Sequence, residues 1–252
     1  MRFRVAAATA LASLLLLSSA YAQSTDLFAL ARIGTTGQLR DAIKAGADVN
    51  ARDIDGLTPL MCAAASNRNP QVITTLLKAG ADIKAQDRYR TTPLMFAAGY
   101  SRNPDVISTL LKAGAEVKAQ DIDGLTPLMH AAKFNPNPEI IAALLKAGSD
   151  VNARATDEWT ALMFAAGRTQ TPGVITAFLK AGAQLESRDT DGSTALMLAA
   201  ALNPNPAVTT TLLQAGANAK ARDTRGKTAF DYAQRNPKLT GTEAYRKLSE
   251  AL

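Results

Sequence analysis

A spacing of 34 residues constrains this chain more than any other feature. Thr58, Thr92, Thr126, Thr160, Thr194 and Thr228 fall at that interval without a slip, and so do Gly46, Gly80, Gly114, Gly148, Gly182 and Gly216. Two independent markers sharing one period of a few tens of residues specify a stack of small units, each burying its apolar face only against its neighbours. The chain has 252 residues, 47% hydrophobic and 20% charged. That composition supplies a core and excludes a disordered polyelectrolyte, a collagen or coiled-coil rod and a multi-span membrane protein.

Each unit reads as two short helices and a turn. Thr58 is a good N-cap and Pro59 suits the first helical position, where a missing N–H costs nothing. Ala63-Ala64 leave no bulk, so a neighbouring helix approaches closely. Asn69-Pro70 opens a second helix, repeated as Asn103-Pro104, Asn137-Pro138, Thr171-Pro172 and Asn205-Pro206. Its residues Val72, Ile73, Leu76 and Leu77 form a broad apolar face for the adjacent repeats to cover. Lys78-Ala79-Gly80 ends it, placing a cation at the negative helix end and a glycine where a left-handed cap is expected. Lys44, Lys112, Lys146 and Lys180 share the position of Lys78, so helix capping explains much of the positive charge.

Gly56-Leu57-Thr58-Pro59-Leu60, the Ala-Ala pair and Ala47-Asp48-Val49-Asn50-Ala51 resemble ankyrin repeats over about 90% of the chain. The resemblance implies an all-α solenoid of about seven helix pairs with short β-hairpin-like fingers. Two departures stand out. Met61, Met95, Met129, Met163 and Met197 replace the family's usual His after Thr-Pro-Leu, so the inter-repeat hydrogen bonds of that His are lost. The unit has 34 residues instead of 33, with the extra one placed in the link between the helices. An N-terminal cap over 26–50, repeats from about 56, 90, 124, 158 and 192, and a polar C-terminal capping repeat over 226–252 make one domain over 23–252.

Residues 1–22 read as an export signal. Arg2 and Arg4 precede an apolar stretch from Val5 to Leu17, and Ala20-Tyr21-Ala22 carries the small-x-small cleavage pattern. Thirteen residues are too few for a bilayer core, which needs about 20. The expected mature protein is exported, periplasmic or else secreted, and does not insert into a membrane. The formal charge is +6; without Arg2 and Arg4, 26 basic residues face 22 acidic ones, or +4. Export and interspersed acidic residues argue against a nucleic-acid partner.

Cys62 is the only cysteine and His130 the only histidine, which excludes an intrachain disulfide, a His-rich metal site and a paired-His catalytic centre. Register puts His130 in a mostly apolar series with Cys62, Phe96, Phe164, Leu198 and Tyr232, where it reads as a packed side chain. Ala221 to Thr228 resembles a relaxed phosphate loop with Ala221 in place of the first glycine, but no buried strand precedes it, and register makes Gly226 and Thr228 a turn and a cap. The methionines read as core filler. Asp53/Asp55, Asp121/Asp123 and Asp189/Asp191 offer too few oxygens for calcium and read as solvated turn residues. No catalytic residue, cofactor, metal or small-molecule substrate is expected.

A repeat array keeps constant what its fold needs, so positions that change between copies are free for recognition. They lie at the finger tips and at the two residues after Ala-Ala, which in ankyrin proteins line a concave face. The middle repeats hold Tyr89, Tyr100, Phe134 and Trp159 beside Arg88, Lys133 and Arg168. Tyr, Trp and Arg carry much of the energy of protein interfaces. These seven residues are expected to converge on one concave patch that binds a protein partner, with the chain itself a monomer. The resemblance implies a scaffold, inhibitor or protector of an envelope or secreted protein; the alternative is a secreted effector acting on host proteins.

Overall fold

The computed structural model describes residues 26–251, so the expected export signal lies outside the described residues. Seven helix pairs follow one another. The first helices are α1 (Leu27–Ile33), α3 (Pro59–Ser66), α5 (Pro93–Tyr100), α7 (Pro127–Phe134), α9 (Ala161–Arg168), α11 (Ala195–Leu202) and α13 (Ala229–Ala233). The second helices are α2 (Thr36–Lys44), α4 (Pro70–Lys78), α6 (Pro104–Lys112), α8 (Pro138–Lys146), α10 (Pro172–Lys180), α12 (Pro206–Gln214) and α14 (Glu243–Glu250). Each first helix packs on the first helix of the next pair, and each second helix on the next second helix, giving two layers with one continuous core.

The first-helix layer is the drier one. Leu60, Met61, Ala63 and Ala64 are wholly buried, and their counterparts in α5 to α11 are buried too, because the alanines let adjacent helices close together; in α13 Phe230 and Asp231 are only partly covered. Each first helix from α3 to α11 starts on a threonine whose hydroxyl accepts the N–H of the methionine three residues on. In four of these repeats the methionine sulfur takes the threonine N–H in return, at 3.3–3.5 Å. The methionines are thus core side chains and also close the capping box normally made by Glu or Gln, a role the sequence reading did not assign.

Second helices open on Asn69, Asn103, Asn137 and Asn205, whose side chains accept the N–H two residues on; Thr171 makes no such bond. They close as expected. Gly80 donates to Leu77 and Ala81 to Leu76, with Gly80 at φ 93°. A Cβ at Gly114 (φ 94°) would meet no atom within 4 Å, so a side chain there suffers backbone strain alone. Gly114→Val should therefore cost about 1 kcal/mol or more in denaturant unfolding, and an unchanged midpoint would refute the left-handed cap.

The fingers differ from hairpins. Among the described residues there is no strand. Two main-chain bonds, Asp53 N–H to Leu57 C=O and Gly56 N–H to Asp53 C=O, close the first finger, and the Leu57 N–H goes to the Asp53 carboxylate, so no ladder forms. Successive fingers are tied by single bonds, from Arg88 N–H to Asp55 C=O and onward to Thr224 N–H and Asp191 C=O. At the finger position held by Gly56, Gly124, Gly192 and Gly226, two repeats carry Arg90 (φ 62°) and Glu158 (φ 64°). The exposed Arg90 side chain holds no bond that would offset this conformation. Arg90→Gly is expected to stabilise the fold by about 0.5–1 kcal/mol, read as a raised denaturant midpoint.

Asparagine amides in the links tie neighbouring repeats together. Asn67 donates to the carbonyls of Ala31 and Gly34, Asn135 to those of Ala98 and Ser101, and Asn203 to those of Ala166 and Thr169. In the repeats between them the position is Ser101 or Thr169, whose hydroxyls bond only within their own link. The extra residue of the 34-residue unit lies in this link, which ties repeats further through Asn103 to the Arg68 carbonyl, Asn205 to that of Gln170, and Asn236 to those of Ala200 and Asn203.

Candidate functional site

The face built from the first-helix ends and the fingers carries the variable side chains. Tyr100, at the end of α5, stacks on Phe134, at the end of α7, with centroids 5.7 Å apart and planes 21° apart. Gly99 lies against the same ring, and a Cβ there would make an ordinary contact with Phe134 at 3.7 Å. Phe96 adjoins Tyr100 at 6.5 Å, and His130 adjoins Phe134 at 5.9 Å. The Lys133 ammonium lies 5.1 Å from the Phe134 centroid and 5.3 Å from that of Phe164, which packs at 4.8 Å against Trp159. The result is an aromatic row crossing three repeats, of which Tyr100 (52% exposed) and Phe134 (40%) are the open part. Arg168 is exposed and lines, with Lys133 and Phe134, a cleft of about 310 Å³ between the links of neighbouring repeats.

Not all seven expected residues meet. Tyr89 makes no ring contact with the row among the described residues. It is held at its own finger tip by Arg88, whose guanidinium lies over the ring at 4.7 Å and donates to the phenol oxygen at 2.7 Å. Arg88 also pairs with Asp55 of the preceding finger at 2.7 Å. Trp159 is half-buried and packed on the core, so it is a wall of the row instead of a projecting anchor. Sequence reasoning left out Phe96 and Phe164, because in register they read as core.

His130 is packed, as expected, but it is also partnered. Its Nε2 lies 2.8 Å from Asp121 Oδ2, both side chains being buried. Asp121 is therefore no solvated turn residue. Its other oxygen accepts the Asp123 and Leu125 N–H groups. Burial pushes the Asp121 carboxyl up, but the His130 hydrogen bond and these two N–H groups outweigh it and leave the carboxyl below the ordinary range. Asp223 repeats the arrangement with the Tyr232 hydroxyl as donor, and its carboxyl is lowered in the same way. Burial raises the Cys62 thiol, so the neutral, poorly nucleophilic form prevails at neutral pH. Among the described residues no group of three or more His, Cys, Asp or Glu is placed to hold a metal ion, and no helix is long and apolar enough to cross a membrane.

Models of ankyrin repeats match residues 27–121, 94–189 and 178–233. The chain belongs to the ankyrin-repeat family. No curated protein matches it. Ankyrin repeats are protein–protein interaction modules, which agrees with a face whose variable positions supply contact chemistry.

Proposed function

We propose that this chain is a non-catalytic, exported ankyrin protein, acting as a monomer that binds a protein partner across the face formed by first-helix ends and fingers. The observation that carries the reading is the exposed Tyr100–Phe134 stack, flanked by Lys133 and Arg168. Rigid aromatic area beside basic side chains is the chemistry of interface anchors. Binding there would scaffold, inhibit or protect an envelope protein. The buried Cys62 thiol and the His130 imidazole, bonded to Asp121, lie two repeats apart and offer no nucleophile–base pair to a substrate.

Two experiments test this. Intact-mass analysis of the chain from its native host should show a protein starting at Gln23, in the periplasmic fraction; a cytoplasmic chain retaining Val5 to Leu17 would contradict export. The same chain used as bait in a native envelope extract should retain a protein that a Tyr100→Ala/Phe134→Ala bait does not. Equal retention by both baits would contradict this assignment of the interface.

A further inference from the structure

A second groove of about 340 Å³ opens towards the C-terminal end of the same face. Leu198 and Leu202 of α11 form its floor, Trp159 one wall and Tyr232 the other. Leu202 is 58% exposed although apolar. Asp157, Asp189 and Asp191 stand along its rim.

These three carboxylates share the groove with a single lining cation, Arg225, which feels Asp191 less than Asp223. Arg225 donates to the Tyr232 hydroxyl at 2.6 Å and lies 3.4 Å from Asp223, so its charge is matched by the buried Asp223. None of Asp157, Asp189 and Asp191 forms an ion pair among the described residues, whereas Asp55 pairs with Arg88 and Asp121 with His130 in earlier repeats. Register explains the difference for Asp189. It occupies the place of Asp121 and Asp223, whose second carboxylate oxygens are met by the side chain nine residues later, His130 or Tyr232. Here that side chain is Leu198, which has nothing to donate. Asp189 uses one oxygen for the Asp191 and Ser193 N–H groups and presents the other unpartnered.

Ser193 supplies an independent sign. It stands where other repeats have Leu57, Leu125 or Trp159, is more than nine-tenths buried and lines the groove, yet its hydroxyl has no hydrogen-bond partner among the described residues. Its oxygen is not sealed from solvent, so it opens onto the groove and can bond to a group that enters.

The geometry points to a subsite for an arginine or lysine side chain presented by the protein partner. The proposal rests on the reading of this face as a protein-binding surface and assigns the partner a basic segment. The aliphatic stem would lie along Leu198 and Leu202, the cationic head against Trp159 or Tyr232, with its N–H donors meeting Asp189, Asp191 and the Ser193 hydroxyl. The chain as a whole carries +6, so the carboxylates act locally, within the ~8 Å reach of charge at physiological salt.

Trp159 is the only tryptophan and lines this groove, so its emission reports binding here, with the aspartate variants separating that signal from changes in the adjoining aromatic row. The purified chain should be titrated with acetyl-Leu-Arg-Leu-amide and with the same peptide carrying citrulline, which keeps the shape and loses the charge. A saturable change in emission is expected for the arginine peptide, with binding at least about tenfold tighter than for citrulline and weakened by salt. Asp189→Asn/Asp191→Asn should weaken it about tenfold, while Asp105→Asn on α6 changes nothing. Asp191→Asn alone, whose carboxylate holds no protein group, keeps the test valid if the double variant unfolds; it is expected to weaken binding about threefold or more. Equal binding of both peptides, no saturation, or indifference to Asp191→Asn would overturn the subsite. If the arginine peptide fails while a partner is still lost from the Tyr100→Ala/Phe134→Ala bait, the subsite is wrong and the interface stands.

Discussion

Asn203→Ala is expected to destabilise the protein by about 3 kcal/mol, the largest loss anticipated for any single polar side chain here. Asn203 is wholly buried in the link between α11 and α12. Its amide nitrogen donates to Ala166 C=O at 2.7 Å and to Thr169 C=O at 2.9 Å, both in the preceding repeat, and its carbonyl oxygen accepts Asn205 N–H at 2.8 Å. Alanine leaves two carbonyls and one N–H without a partner, and an unsatisfied buried group costs about 1–3 kcal/mol. Thr169→Ala, at the equivalent place one repeat earlier, removes only a link-internal bond and should cost about 1 kcal/mol or less. Denaturant unfolding of the two variants measures the contrast, and equal losses would contradict the assignment of an inter-repeat tie to Asn203 and of a link-internal bond to Thr169.

The second large effect falls on recognition. Truncating Tyr100 and Phe134 together should weaken partner binding by about 2 kcal/mol or more, roughly thirtyfold. Stability should fall by only about 1 kcal/mol, because both rings are half open and their stack contributes little beyond their own contact. Trp159→Ala is a poorer probe, since it strips a half-buried ring from Phe164 and confounds folding with binding. Lys44→Ala, at the exposed end of α2, is the control and should leave affinity unchanged. Calorimetric titration of a purified partner against the three variants separates these outcomes.

Much of the architecture was legible in the residues themselves. Thr58-Pro59, Asn69-Pro70 and Lys78-Ala79-Gly80 fix helix starts and stops through local capping, and local chemistry repeats with the sequence. What escaped depends on contacts between units. The Asn67, Asn135 and Asn203 ties were hidden because aligning every copy at 34 residues makes Asn, Ser and Thr at that place look interchangeable. The His130–Asp121 bond spans nine residues and exists only because the finger folds back over α7. Methionine sulfur as a capping acceptor follows from geometry at the first turn, which no spacing rule reports. Of the site, the residue types were readable and their grouping was not: Arg88 and Tyr89 satisfy each other and Asp55 at one finger tip, away from the Tyr100–Phe134 row.

Site-specific photo-crosslinking in the native host tests the central claim most directly. A photoreactive phenylalanine derivative at position 134 should yield one defined covalent adduct with a second protein in the envelope. The same group at position 112, at the exposed end of α6, should yield none. An adduct from position 112 with none from position 134 would place recognition on the second-helix layer and contradict the account.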